Sequence, residues 1–296
     1  MPECMFCRCG NILPSSYIGS KRNFHRRYKE AMATVRVYGR PGVFITFTAN
    51  SMWKSIVDSC NISSPVCERN ARDDLLARVF KLQLDELLKD LLDRHVLGKV
   101  RAYMHVIEYQ QRGYPHAHIL LIFNDGDRIN TADDVDDVVS AELPTDPVRS
   151  EFPRGSAGNV KYQAAVRETT RLRHLICTTM LHRECGPGDK CWDPVKKQCR
   201  QGYPKPFSTN TVWNDSNIYP RYRRRSPQDG GECFDWEYSY RNRNCHRTVT
   251  NAFVVPYNRF LLLKYGSHLN IEAVSCIGSV KYLYKCVIVS NIRMLK

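Results

Sequence analysis

The sequence predicts an α+β fold with a Cys-rich loop insert, and three observations carry that prediction. Residues 73–96, DDLLARVFKLQLDELLKDLLDRHV, place Leu76, Val79, Phe80, Leu84, Leu87, Leu88 and Leu91 on one stripe at helical spacing. Two β-rich runs, RAYMHVIEY (101–109) and HAHILLIF (116–123), flank the short turn-forming segment QQRGYP. Residues 146–250 are rich in Cys, Arg and Tyr and read as a loop-rich insert.

The other elements follow in order. In FHRRYKEAMATVRVYG, Tyr28, Ala31, Met32 and Val35 recur at helical spacing, and Gly39 with the Arg40-Pro41-Gly42 turn ends the helix. VFITFTAN is a strand: Val43, Ile45 and Phe47 point to one face, wholly apolar and so the core side, and Phe44, Thr46 and Thr48 to the other. Asp73 and Asp74 suit the N-terminus of the long helix. Residues 124–147, with DDVDD near their centre, read as a solvated surface loop with a short helix, and their acidic spacing fits no calcium loop. The expected division is a Cys-containing N-terminal segment (1–10), a core with the hairpin (11–145), the basic insert (146–250) and a tyrosine-bearing C-terminal segment of the core (251–296).

With 296 residues, 43% of them hydrophobic and 25% charged, the chain is long enough to bury a sizeable core and belongs to the globular class. No apolar run approaches the roughly 18 residues that would span a membrane. The start, MPECMFCRCG, has no apolar signal-peptide core, so an intracellular protein is expected. The 13 cysteines are then expected as thiols or metal ligands rather than a disulfide framework. The net charge of +14 is uneven: residues 1–150 carry 20 basic and 19 acidic side chains, residues 151–296 carry 24 and 11. A strongly basic half favours a polyanionic partner, most often nucleic acid.

EYQQRGYPHAH holds the first chemical candidate. Residues i and i+2 of a strand point the same way, so His116 and His118 share a face. A turn centred on Arg112 puts Glu108 directly across from His116, with Cβ atoms about 5 Å apart. Two imidazoles and one carboxylate could then converge on one cation and leave positions open, the mark of a catalytic rather than a structural site. Gln110 lies on the same strand face as Glu108 and is the alternative ligand. The plainer reading is a hairpin with two solvated histidines.

Further candidates lie downstream. His182, Cys185, Cys191 and Cys199 offer one imidazole and three thiolates, a set that binds structural zinc tetrahedrally. Cys4, Cys7 and Cys9 form CxxCxC with no evident fourth ligand. RYRRRSP (Arg221, Tyr222, Arg223, Arg224, Arg225) and YRNRNCHR (240–247) interleave aromatics with cations, which suits single-stranded DNA: phosphates on Arg, bases stacked on Tyr. Either stretch could also serve as a nuclear-import signal. In SVKYLYKC, Tyr282 and Tyr284 lie beside Lys281 and Lys285. A tyrosine hydroxyl can attack phosphorus and conserve the bond energy as a phosphotyrosine, and a nearby lysine eases formation of the phenolate.

IEYQQRGYPHAHILL resembles the HUH motif of rolling-circle replication initiators. Together with LPSSYIGSKRNFHRRYKEAMATVRVYGRPGVFITFTAN, CGPGDKC…CRQGYPKPF and VPYNRFLLLKYGSHLNIEAVSCIGSVKYLYK, it resembles the replication-initiator region of Helitron transposases, over roughly residues 11–285. The resemblance implies an HUH-endonuclease-like antiparallel sheet flanked by helices. It implies Mg²⁺- or Mn²⁺-dependent nicking and joining of single-stranded DNA through a 5′-phosphotyrosine, in the nucleus. His116 and His118 carry the histidine pair, Glu108 the acidic partner and Tyr282 the nucleophile; VFITFTAN carries the family's first, more architectural motif. The family's tyrosine motif, Tyr-x-x-Lys-Tyr, here reads Tyr282-Leu283-Tyr284-Lys285-Cys286. VIVSNIRMLK departs from the family, and the helicase that follows in full-length members is not in this sequence. A truncated copy is therefore expected, with a catalytically inactive single-stranded DNA-binding module as the alternative.

Overall fold

Alternation of β-branched and aromatic residues gives VFITFT two unlike faces, and the chain is built around that strand. The computed structural model describes residues 14–17, 20–59, 72–109, 114–213, 219–240, 243–274 and 291–294. In chain order the elements are α1 (Lys21–Tyr38), β1 (Val43–Thr48), α2 (Lys54–Ser59), α3 (Asp73–Leu92), β2 (Val100–Tyr109), β3 (Pro115–Phe123), α4 (Ala132–Val138) and α5 (Ser156–Thr179). They continue with β4 (Trp192–Asp193), β5 (Gln198–Cys199), β6 (Cys233–Tyr240), β7 (Arg243–Thr250), α6 (Arg259–Tyr265), β8 (Leu269–Ala273) and β9 (Asn291–Met294). The main sheet has the order β8-β1-β3-β2-β9, with every neighbouring pair antiparallel. The architecture is α+β, an antiparallel sheet flanked by helices.

One sheet face is the core side that period-two reading assigns. Val43, Ile45 and Phe47 join Ala117, Ile119 and Leu121 in a fully buried layer against Phe80, Leu84, Leu87 and Leu91 of α3. The Phe47 ring stacks on Phe80 with centroids 5.3 Å apart and meets Tyr265 edge-on at 5.7 Å. Full burial of such a side chain contributes about 1.5–3 kcal/mol.

The opposite face is covered by α1 over its apolar part. Ala31 and Val35 pack on Phe44, Ala102, Met104, Val106, Leu120 and Ile122. Ser20 caps α1 by accepting from the Asn23 N–H at 3.0 Å. Gly39 closes it at φ +94°, a conformation that side-chain-bearing residues rarely adopt. Gly42 then lets the chain pass under Phe123: a Cβ there would lie 2.7 Å from the ring.

The region between residues 124 and 250 is more ordered than the sequence suggests. The 124–147 stretch keeps its acids outside on α4, yet buries Ile129, Val135, Val139, Ala141 and Leu143. Its apolar residues are few and widely spaced, so their inward aim is legible only once the core is present. The insert holds the 24-residue helix α5 and the β6–β7 hairpin. Only a narrow stripe of α5 is buried, including Thr169, Leu172 and Ile176, and so narrow a stripe gives a weak periodic signal. These residues share a core with both flanks: Leu143, Leu172, Ile176, Met180, Val249, Val254, Tyr257 and Leu262. No helix among the described residues is long and apolar enough to cross a membrane.

Candidate metal face and cysteine knuckle

The β2–β3 register pairs Glu108 with His116 and Val106 with His118, the register expected from the hairpin sequence. The centre of the turn, with Gln110, lies outside the described residues. On the other side of β3, Thr48 pairs with His116 and Thr46 with His118. These five polar side chains all belong to one sheet face, because paired residues in adjacent strands project to the same side.

The threonines hold the rings. Thr48 Oγ1 lies 2.8 Å from His116 Nδ1, and Thr46 Oγ1 lies 3.1 Å from His118 Nδ1. A ring proton kept on Nδ1 by that contact leaves the Nε2 lone pair free, the tautomer a metal ligand needs. His118 Nε2 lies 3.5 Å from Glu108 Oε2, and Phe44 stacks on the His118 ring at 5.5 Å. His116 Nε2 is buried and has no hydrogen-bond partner among the described residues. A buried, unpartnered ring nitrogen beside a second imidazole and a carboxylate fits a cation better than it fits a closed hydrogen-bond network.

Electrostatics suit the same purpose. Burial, then the neighbouring His118 and His268, pushes the His116 imidazole down to about 4. Burial also lowers His118, against the opposing pull of the Glu108 carboxylate. Both rings are therefore neutral near pH 7, as ligation requires.

The cysteine cluster is tightly gathered. Ligand atoms of His182, Cys185, Cys191 and Cys199 all lie within 4.8 Å of one another. The tiny β4–β5 hairpin makes it possible by pairing Trp192, next to Cys191, with Cys199. Asp193 Oδ1 caps the turn, accepting from the N–H groups of Val195 at 2.9 Å and Lys196 at 3.1 Å. The His182 ring lies with Nε2 3.3 Å from Cys199 Sγ and stacks on Tyr203 at 4.3 Å. Burial and thiol contacts with Cys191 and Cys199 push Cys185 up to about 12. Burial works against the Cys199 thiolate too, but the backbone N–H groups of Tyr203 and Gln201 outweigh it and hold that thiol below its usual range. Three sulfurs and one imidazole at this closeness can hold a metal ion such as zinc.

The basic stretch at 221–225 divides. Arg224 is buried and donates to the carbonyls of Asn251 at 2.7 Å and Val254 at 2.6 Å. Tyr222 is buried and donates to Glu272 Oε2 at 2.6 Å. Arg225 forks onto Glu142, and Arg223 pairs with both Asp136 and Glu142 at 3.3 Å. Arg221 is exposed. Burial thus gives Tyr222 and Arg224 an interior task, fastening the insert to residues 141–142 and 251–272, which alternation of aromatics and cations along a sequence does not reveal. Tyr282, Tyr284, Lys285 and Cys286 lie outside the described residues.

Thr46 and Thr48 are the site residues that sequence reading left without a role. Their parity on β1 is visible in VFITFT, but their partnership with the histidines depends on β1 lying next to β3.

None of the curated proteins compared with the chain matches it. The family described as the Helitron helicase-like domain at the N-terminus matches residues 6–121, a span that takes in α1 to α3, β1, β2, both histidines and β3 as far as Leu121. The knuckle, the insert and β8 lie beyond that match. Over residues 6–121, which carry the threonine-held histidine pair facing Glu108, the chain is similar to the Helitron helicase-like N-terminal domain.

Proposed function

We propose that the chain nicks and rejoins single-stranded DNA at the Glu108–His116–His118 face, through a 5′-phosphotyrosine on Tyr282, as in rolling-circle transposition. The observation that carries this reading is the pair of neutral imidazoles with Nδ1 held by threonines and Nε2 turned to Glu108 or left unpartnered. Glu108, His116 and His118 would hold Mg²⁺ or Mn²⁺, with Gln110 as the substitute ligand. Such a cation, when bound, polarises the scissile phosphate and offsets its negative charge.

The chain's own groups do the rest. Thr46 and Thr48 keep the rings oriented. The Tyr282 oxygen forms a bond to phosphorus and loses its proton; the bond from phosphorus to the 3′ oxygen breaks, and that oxygen takes up a proton as a free 3′-hydroxyl. One phosphoester replaces another, so the step can run backwards to join strands. Lys285 contacts the phosphate and favours the phenolate, and Tyr284 is the neighbouring alternative nucleophile. Arg221 and the other exposed cations of the basic half contact the strand. Zinc on His182, Cys185, Cys191 and Cys199 serves structure. The reading places the protein in the nucleus, with a helicase as its usual fused partner.

The test is incubation of a single-stranded oligonucleotide with Mn²⁺ or Mg²⁺, followed by denaturing electrophoresis. A metal-dependent covalent protein–DNA adduct is expected, and it disappears in Tyr282→Phe. An adduct undiminished in that variant removes Tyr282 from the mechanism. Salt-sensitive binding without cleavage makes the chain a DNA-binding module, the reading that Cys286 in place of the second tyrosine favours.

A further inference from the structure

A cavity of about 550 Å³ opens between the sheet and the knuckle. Its floor is the edge strand of the metal face. Asn270 pairs with Thr46, which pairs with His118. One residue row along, the Thr48 N–H donates to the His268 carbonyl at 2.9 Å, and Thr48 pairs with His116. His268 and Asn270 line the cavity, so its floor lies two strand spacings, about 10 Å, from the histidine pair. Its far wall is His182, the imidazole of the knuckle, together with Tyr203 stacked on it.

The lining combines three chemical features. Lys205 and Arg221 supply cations, with the charge of the buried Arg224 behind them, against a single carboxyl, Glu272. Burial raises the Glu272 pKa, against the Tyr222 hydroxyl and the Arg224 charge, which lower it. Tyr203 and Tyr219 supply aromatic surface. Asn270 Oδ1 is a buried acceptor with no hydrogen-bond partner among the described residues. A group that is anionic at one end, flat in its body and equipped with an N–H donor meets all three demands: cations for phosphate, rings for stacking, and an acceptor for an exocyclic amine. The volume lies within the range of small-ligand sites, roughly 300–1,000 Å³.

We propose that this cavity seats one nucleotide of the single strand, its base reaching Asn270 and its phosphate the cations of the rim, and so sets the position of the neighbouring phosphate on the Glu108–His116–His118 face. The proposal rests on the nicking reading of that face. It also gives the knuckle a second role, since His182 and Tyr203 form the cavity wall and metal loss would disturb it.

The test titrates the full chain with each of the four deoxynucleoside monophosphates, and separately with inorganic phosphate, by calorimetry without divalent metal. Saturable binding of an amine-bearing nucleotide is expected, at least tenfold tighter than inorganic phosphate. Asn270→Leu and Lys205→Gln each weaken it several-fold, while Glu108→Ala leaves it unchanged. Circular dichroism establishes that each variant is folded, and Lys205→Gln stands in if Asn270→Leu is not. No nucleotide binding by a chain that nicks DNA overturns the cavity proposal and leaves the nuclease standing. Nucleotide binding by a chain that forms no adduct does the reverse. Equal affinity for phosphate and nucleotide reduces the site to an anion site and overturns base recognition.

Discussion

Thr48 Oγ1 lies 2.8 Å from His116 Nδ1, across the β1–β3 ladder. That contact makes β1 part of the candidate metal site and not only its scaffold. Thr48→Val keeps the shape of the side chain and removes the hydroxyl. Outer-shell partners of ligating histidines typically govern metal affinity by about 10–100-fold. Mn²⁺ binding, followed by calorimetry, is expected to weaken by that order in Thr48→Val with the melting temperature nearly unchanged. Unaltered Mn²⁺ affinity would leave the threonine a purely architectural role.

His116 ties the site to pH. Its folded value, pushed down to about 4, lies below the usual 6.5. The unfolded chain therefore takes up a proton more readily than the folded one. In the metal-free protein this residue leaves stability unaffected above pH 6.5, lowers it as the pH falls from there toward 4, and adds nothing further below that. Melting temperatures of wild type and His116→Gln, measured from pH 7.5 to 4.5, are expected to converge as the pH drops. Parallel curves would show that the ring titrates normally.

The knuckle predicts metal content. Bound metal requires deprotonated thiols, yet Cys185 in the metal-free cluster is pushed up to about 12, so uptake of metal releases protons. Purified protein is expected to hold one zinc per chain, released by acid or by a strong chelator. Cys199→Ser is expected to lose that zinc and to lower the melting temperature. A chain that holds no zinc, with its thiols fully reactive toward a thiol reagent, would refute the assignment.

Asp90 anchors α3 to α6. Its buried carboxylate accepts from the Tyr265 hydroxyl at 2.6 Å and from Lys264 Nζ at 2.8 Å, and pairs with Arg94. Burial opposes the charge, but the bonds from Lys264, Tyr265 and Arg94 win and hold the pKa below its usual 3.8. The stabilisation is thus complete above pH 3.8 and is lost as the pH falls through the lower, folded value. Asp90→Ala is expected to cost about 2–3 kcal/mol in urea unfolding at pH 7. A cost within experimental error would mean that solvent already screens the cluster.

Local periodicity was enough to specify several parts of the protein. The stripe from Leu76 to Leu91 specified α3, and alternation in VFITFT specified the core face of β1. The hairpin text placed Glu108 opposite His116, because turn length and period-two geometry set a register with no reference to the rest of the chain. His182, Cys185, Cys191 and Cys199 were legible as a ligand set because few other roles suit such a grouping of cysteines and histidine. Which strand lies beside β3, and with it the Thr46 and Thr48 contacts that orient the histidines, emerges from the folded chain. Tertiary packing alone turned Tyr222 and Arg224 inward, and it alone set the knuckle against β8 to enclose a cavity. Each of these depends on contacts between segments tens to hundreds of residues apart, which no short window of sequence contains.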